Sequence, residues 1–509
     1  MRLKNGLVLV KHLLLIILGK IVWIAVVDAE GEYNEYLPGT IDEYNEKTKQ
    51  CKIIYSDSTK TGDEWVDGDR VEQRDANRRG YDDDLVNITP LNQGEVLKNI
   101  EDHYWNDDQY IDCGPTLIAI NLMGPVSWPW AELSKGEDWK LTWVEFQDQA
   151  FAYARGETEG PLKPGIEYSC AKAYRNFNLT KHAQANCVSG ESGAGKSYST
   201  TKAMKFITTI LKDHESTLEI PLEKTIIDDL TPIVEQFGNA QTVRNPDSSR
   251  FGKYFNLICD MDRKCIVGAT IQKYLLEKSR INEQDKGERN YHIFYGLCKG
   301  VEDPVLLDRY GLNNNNGKLS DMTKWNYLNT SGVYDCAKNP DKEKYLGILD
   351  SFKDCGMSPE ENDMCWKICG AVLNIGNMTI DPKTYVEGKS APTVVQDNFF
   401  TTACKLLGMD HDLLIRGLTL NVKHLPGGKV MESPNSPANV DQYRHAWAKD
   451  SFNHLFNWMI LRLNSRIEPE TYPSNFSTFG LLDIFGFECF SYNKIEQFCI
   501  NYTNEKLQN

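Results

Sequence analysis

The segment GESGAGKS at 190–197 constrains this chain more than any other. It matches the spacing G-x-x-x-x-G-K-[ST] and stands between a strand-like ANCV and a helix-compatible YSTTKAMKFITTIL. Gly190, Gly193 and Gly195 allow the backbone to wrap closely, so that its N–H groups face phosphate oxygens, and the helix that follows adds its positive end. Glu191, Ser192 and Ala194 complete the cradle. Lys196 is placed to neutralise β- and γ-phosphate charge, and Ser197 to ligate Mg²⁺. The bland alternative, an ordinary glycine-rich βα turn, does not account for the Lys-Ser pair between these flanks.

A chain of 509 residues, 41% hydrophobic and 25% charged, has apolar material for roughly three domains. Its formal charge of −16 argues against a nucleic-acid partner, which requires a broad basic field. An acidic protein partner would dock on local basic loops. The 14 cysteines are scattered, and Cys365 and Cys369, the closest pair, have no histidine near enough to complete a zinc site. Reduced thiols acting as small buried hydrophobes, in a cytoplasmic protein, are the reading adopted. Residues 6–27 are apolar and follow Arg2 and Lys4, as a signal peptide or anchor would. Lys11, His12 and Lys20 interrupt the run and 19–27 alternates like a strand, so residues 1–18 are read as a leader of uncertain role and a membrane location is not expected.

Between 19 and 75 the text breaks into short β-rich pieces, IVWIAVVD, YLPGTIDEY, KQCKIIYSD and EWVDGDRVEQR, which suit a small barrel. From 85 to 509 helical patches such as GEVLKNIEDHYW alternate with buried-strand runs such as TLIAIN and NCVSG. That alternation predicts an α/β core with a mixed, mainly parallel central sheet flanked by helices. YFNLIC and KCIVGATIQKYLL, separated by the polar turn at 260–263, predict a hairpin. The interval 287–469 is mostly helical in pattern, with polar loops at 313–317 and 425–439, and reads as a helical subdomain inserted between two parts of one site.

Two further segments supply what a phosphate cradle lacks. NPDSSRFGK at 245–253 offers Asn245, Ser248, Ser249 and Arg250 in one short loop before a strand. Hydroxyls can complete a Mg²⁺ shell or hold a water, and an arginine can answer charge on a γ-phosphate, although such a segment alone is more often a polar turn. LLDIFGFE at 481–488 ends an apolar run in Asp483, then Gly486 and Glu488. A carboxylate at a strand's end suits Mg²⁺, and Gly486 lets a backbone N–H approach the terminal phosphate. After it, Ile495, Phe498, Cys499 and Tyr502 recur at helical spacing, with Asn493 placed to cap.

In this order the three segments are similar to the phosphate loop and two switches of the myosin family. EQFGNAQTVRN, YLLEKSRI, GERNYHIFYGL, AWAKDSFNHLFNWMILRLN and EQFCINYTNEKLQ resemble that family too. The resemblance implies a P-loop NTPase motor core with an upper, helical insertion, preceded by an SH3-like barrel. It implies an actin-based ATPase using ATP and Mg²⁺. Ser197 and Ser249 would bind the cation directly and Asp483 through water, while Asn239 and Asn245 would contact phosphates. Ser248 would assist the attacking water, Gly486 would read the γ-phosphate, and Arg250 with Glu488 would form the bridge that closes the site. The apolar helix after Glu488 would be the relay helix, and a light chain or calmodulin would bind only if a neck follows. At the base pocket, NLMGPVSWPW at 121–130 aligns Asn121 and Pro129 with the family but lacks its Pro, Lys and Tyr, leaving Trp128 or Trp130 to stack. Family motors continue past Asn509, so the chain reads as the front portion of a motor, the alternative being a non-motor relic that binds nucleotide or partners without force.

Overall fold

A computed structural model describes residues 20–27, 33–56, 60, 62–75, 78, 80–122, 143–160, 162–211, 222–313, 321–426, 428–484, 486–488, 493 and 495–508. The leader at 1–18 lies outside the described residues. The chain divides into two compact units, 1–175 and 176–509. No described helix is long and apolar enough to cross a membrane.

The first unit opens on five antiparallel strands, β1 Ile21–Val27, β2 Tyr33–Asn45, β3 Gln50–Tyr55, β4 Asp63–Asp67 and β5 Val71–Gln73, in the order β4-β3-β2-β1-β5. Alternate side chains of these strands, among them Val22, Ile24, Leu37, Ile41, Cys51, Ile53, Val66 and Val71, form one buried cluster. Each Val, Leu or Ile among them contributes roughly 1.5–3 kcal/mol if fully transferred from water, which gives the sheet a core of its own. α1 Gln93–Trp105 follows, started by Asn92, whose side chain accepts from the Glu95 amide. The run TLIAIN was expected as a buried strand. It forms β7 Thr116–Ala119, which is half-exposed and, among the described strands, pairs only with β6 Tyr110–Cys113. The short Cys113–Thr116 turn folds it back into a hairpin. α2 Trp143–Arg155 follows, and then α3 Ile166–Thr180, within which the division between the two units falls.

In the second unit β8 Gln184–Val188 leads into α4 Lys196–Ile210, and α5 Thr231–Gly238 leads into the short strands β9 Asn239–Ala240 and β10 Ser248–Ser249. β11 Gly252–Asp260 and β12 Cys265–Tyr274 form the anticipated hairpin, closed by Asp260 Oδ1, which accepts from the amides of Asp262 and Arg263 at 2.9 and 3.0 Å. With β17 Phe476–Asp483 they build a sheet in the order β12-β11-β17-β8. The sheet is mixed as expected but not mainly parallel among its described strands: β11 is antiparallel to both β12 and β17, and only β17 with β8 is parallel. The tight hairpin forces one reversal, and β17, returning from a long insertion, is under no crossover constraint that would impose the other direction. The parallel pair matters most, because it brings Val188 beside Asp483, so both loops leave the sheet at the same end.

The insertion is built on α6 His292–Gly300, α7 Asp341–Asp354, α8 Pro359–Asn377, α9 Asn398–Leu407, α10 His411–Thr419 and α11 Pro437–Ile467. Phe452 of α11 packs against Phe237, Tyr291 and Phe294 with ring centroids 5.2–6.3 Å apart, tying the helices to the segments that carry the site. The region is not purely helical. β13 Ile380–Asp381 pairs with β14 Thr393–Val394, and β15 Leu420–His424 pairs with β16 Val430–Pro434. The stretch 425–439, expected as a polar loop, therefore holds a strand and the first turn of α11. Pro426 and Gly428 stand at the hairpin tip, where Gly428 takes φ 76° and the Leu425 amide donates to the Lys429 carbonyl at 2.7 Å, while Pro434 ends β16 and Pro437 starts α11.

Candidate functional site

The glycine-rich loop runs from the end of β8 to the start of α4. Gly190, Gly193 and Gly195 have φ of 151°, 88° and 97°, conformations that side-chain-bearing residues rarely adopt. Gly195 is the N-cap residue of α4. Lys196 folds back over the loop, its Nζ donating to the carbonyls of Gly190 and Glu191 at 2.8 Å each. Burial lowers the Lys196 pKa, while the carboxylates of Asp483 and Glu488 oppose that shift.

β9 and β10 hold the second segment as a small antiparallel loop with Ser248 opposite Ala240 and Ser249 opposite Asn239. Ser248 Oγ lies 2.8 Å from Ser192 Oγ, joining this loop to the cradle. Asn245 locks the loop tip from within: its Oδ1 accepts from the Asp247 amide and its Nδ2 donates to the Asp247 carbonyl, both at 3.0 Å. Asn239 Nδ2 is turned to Asp247 Oδ1 at 2.8 Å. Burial would raise the Asp247 pKa, but His292 and Asn239 outweigh it and hold it below the usual carboxylate value.

From the end of β17, buried Asp483 accepts a hydrogen bond from Ser197 Oγ at 2.9 Å. The sheet register sets Lys253 opposite Asp483, and Lys253 Nζ reaches Asp483 Oδ2 at 3.5 Å and Glu235 Oε1 at 3.0 Å. The backbone of Gly486 lies directly on the loop, since a Cβ placed there would fall 1.6 Å from the Gly190 carbonyl oxygen. Two residues on, Glu488 meets Arg250 through two hydrogen bonds, Nη1 to Oε1 at 2.7 Å and Nη2 to Oε2 at 3.3 Å, both partners buried. Arg250 Nε also donates to Glu277 at 2.6 Å, Glu277 accepts from Arg280, and Arg280 pairs with Glu288. Charges alternate along this buried chain of five side chains. Burial alone would raise the Glu277 pKa, but Arg250 and Arg280 hold it well below the carboxylate range.

The helix after this segment, α12 Ile495–Gln508, is bound by its polar residues. Asn501 Oδ1 accepts from the Glu488 amide at 2.8 Å, and its Nδ2 donates to the Glu488 carbonyl at 2.7 Å. Gln497 Nε2 reaches Glu488 Oε2 at 3.3 Å, and Ser189, just before the glycine loop, donates to Asn504 at 3.3 Å. Ile495, Phe498 and Tyr502 are 68%, 66% and 58% exposed and Cys499 is exposed as well, so the apolar stripe read from the sequence faces away from this anchorage. Amide pairing with the Glu488 backbone fixes the helix face, and the apolar spacing is left outside.

Ser192, Gly193, Gly195, Lys196, Ser197, Asn245, Ser248, Ser249, Asp483, Gly486 and Glu488 all line one cleft of about 200 Å³. Arg250 stands behind it, gripping Glu488, and Asn239 braces Asp247 beneath the loop. Asn121 follows β7 in the first unit and is exposed, and 123–142, with Trp128, Pro129 and Trp130, lies outside the described residues. Glu277, Asp247, Gln497, Asn501 and Asn504 received no role from the sequence. Their signal was present, since Glu277 lies within YLLEKSRI, and the three amides recur on one face of EQFCINYTNEKLQ.

A family model for the myosin head (motor domain) matches residues 82–509. Myosin-1 of Sclerotinia sclerotiorum is 32% identical over 426 residues, covering 84% of this chain and 32% of that protein. The myosin IB heavy chain of Dictyostelium discoideum is 33% identical over 435 residues, 84% of this chain and 36% of its own. Myosin-2 of Lachancea kluyveri is 33% identical over 431 residues, 84% of this chain and 26% of its own. The chain thus spans about a third or less of the length of these relatives.

Proposed function

Because this chain belongs to the myosin head family, we propose that it is the Mg-ATP-hydrolysing part of an actin-based motor of the cytoplasmic cytoskeleton. In this reading its core is a P-loop NTPase site and the five-stranded sheet an SH3-like barrel. The observation that carries the reading is the buried pair of Arg250 and Glu488 behind the cleft that the glycine cradle lines, formed by residues 238 positions apart.

The residues present fit a triphosphate with its cation. The cradle carries backbone conformations that favour glycine, Lys196 has no carboxylate on its ammonium among the described residues and spends its donors on loop carbonyls, and Ser197, Ser249 and Asp483 make a hard oxygen set. Mg²⁺, when bound, neutralises charge that develops on the transferred phosphoryl group. Lys196 exchanges its two carbonyl acceptors for β- and γ-phosphate oxygens. Ser197 and Ser249 would hold the cation by their hydroxyls, and Asp483, hydrogen-bonded to Ser197, would hold it through water. Asn245 and Asn239 keep the loop of Ser248 in register with Ser192, so that the Ser248 hydroxyl can orient a water. Gly486 offers its amide to the terminal phosphate. No strong base is required, because positioning and fixed charge supply most of the acceleration in phosphoryl transfer.

Glu488 is held by Arg250 on one side and by Asn501 and Gln497 of α12 on the other, so closure at the phosphate end and the position of that helix form one mechanical unit. Actin is the partner this design serves, and a light chain or calmodulin would join through a neck. Lys196→Met tests the first step. Two charge-assisted bonds of about 1.5 kcal/mol each predict a roughly 100-fold weaker Kd for a fluorescent ATP analogue. Unchanged affinity would remove Lys196 from the site. Actin-stimulated phosphate release, measured on a chain continuing through the rest of the motor, tests the partner.

A further inference from the structure

In the first unit, the segment before α1 and the turn after it converge on the last turn of that helix. There Asp83, His103 and Asp108 place one donor atom each within 4.8 Å of the others. The geometry points to a transition-metal site of the zinc class formed by His103 Nδ1 and the carboxylates of Asp83 and Asp108.

His103 is wholly buried, and its Nε2 lies 3.0 Å from the backbone carbonyl oxygen of Asp82. A carbonyl only accepts, so Nε2 carries the proton and the Nδ1 lone pair is turned the other way. Among the described residues Nδ1 has no hydrogen-bond partner, and it faces Asp108 Oδ2 at 3.6 Å. Two electron-rich atoms held face to face in a buried space repel unless positive charge is close by. Lys163 supplies part of it, its Nζ 2.8 Å from Asp108 Oδ2, and a metal ion between the two atoms would supply the rest. The 3.6 Å separation is longer than a hydrogen bond. It is close to the roughly 3.3 Å between nitrogen and oxygen donors around a tetrahedral ion with bonds of about 2.0–2.1 Å.

The surroundings hold the three donors in place. The Asp108 amide donates to the His103 carbonyl at 2.9 Å, after a turn in which Asp107 has φ 55°, and the Asp112 amide donates to the Asp83 carbonyl at 2.8 Å. A histidine whose other nitrogen donates to a backbone carbonyl is oriented as metal-ligating histidines are. Asp83, the exposed member, gives the site an entrance. One imidazole with two carboxylates suits Zn²⁺ or Co²⁺ better than the all-oxygen preferences of Mg²⁺ or Ca²⁺. Lys163 Nζ sits 2.8 Å from Asp108 Oδ2 and is 27% exposed, so an ammonium shares this oxygen and must swing outward as the metal enters. The bound ion would pin the end of α1 to the segment that precedes the helix.

Titration of the full chain with Co²⁺, after its exposed thiols are blocked with N-ethylmaleimide, tests the site. The expected result is one saturable equivalent, with visible d–d bands of a nitrogen and oxygen set and no thiolate-to-cobalt band, displaced by Zn²⁺. His103→Gln and Asp83→Asn should each weaken binding more than about 100-fold, since even outer partners of metal ligands are worth roughly 10–100-fold. Lys163→Met should tighten it about tenfold, the equivalent of one hydrogen bond to a charged group. Asp83 is exposed, so its variant reports even where the buried His103 variant fails to fold. Absence of a saturable equivalent, or an Asp83→Asn chain that binds as the parent does, overturns the site.

Discussion

Gly486→Ala should lower ATP turnover at saturating Mg-ATP by at least about 10²-fold while leaving the two compact units folded. A Cβ at this position would lie 1.6 Å from the Gly190 carbonyl oxygen and 2.2 Å from its carbon, where real Cβ atoms essentially never approach within 3.0 Å. Neither neighbour is a flexible side chain, so the backbone of one loop must retreat by more than an ångström. A displacement of about 1 Å at reacting groups costs on the order of 10²-fold. The retreat also carries Glu488 away from Arg250, because the two positions belong to one short segment. Single-turnover hydrolysis, with the melting curve recorded in parallel, checks the expectation. A variant that hydrolyses at the parent rate would show that Gly486 does not need to lie against the cradle.

Glu488→Ala should bind ATP almost normally and hydrolyse it about 10²–10³-fold more slowly, in the range found when one preorganised charge-stabilising group is removed. Removing one partner of a buried ion pair commonly costs about 3–5 kcal/mol, because the other charge is left alone. Here Arg250 keeps Glu277 at 2.6 Å, so its charge remains compensated and the fold is expected to hold. Nucleotide affinity is spared because the cradle, Lys196 and Ser197 do not touch the Glu488 side chain through any hydrogen bond found among the described residues. The readout is the split between Kd for an ATP analogue and the rate of the chemical step. Equal loss in both, or no loss in the rate, rejects the assignment of Glu488 as the closing residue.

The convergence of 190–197, 245–253 and 481–488 on one cleft was legible because each segment states its chemistry locally. A Lys-Ser pair after spaced glycines, hydroxyls beside an arginine, and acids flanking a glycine need no tertiary context to be noticed. Strand direction was less legible. Nothing in the apolar run FSTFGLLD says whether it lies parallel or antiparallel to β11, since both use the same alternation and the choice is made by the connection. The tip of β15 and β16 was misjudged for a related reason, as Pro, Gly and Asn mark a turn without revealing that strands enter and leave it. On α12 the apolar spacing drew attention away from Gln497, Asn501 and Asn504. Amides carry no charge and no hydrophobic period, so their role emerges only when the Glu488 backbone is seen against them.

The parallel pairing of Val188 with Asp483 joins positions almost 300 residues apart. During synthesis at roughly 5–20 residues per second, the strand that ends at the glycine loop would wait between about fifteen seconds and a minute for this neighbour to emerge. Until then Ser197 has no Asp483 and Arg250 has no Glu488, although Glu277 is already made. The nascent chain therefore carries the glycine loop and Arg250 long before it carries the residues that meet them. A premature stop anywhere in the insertion would release a product with a complete cradle and nothing to close over it.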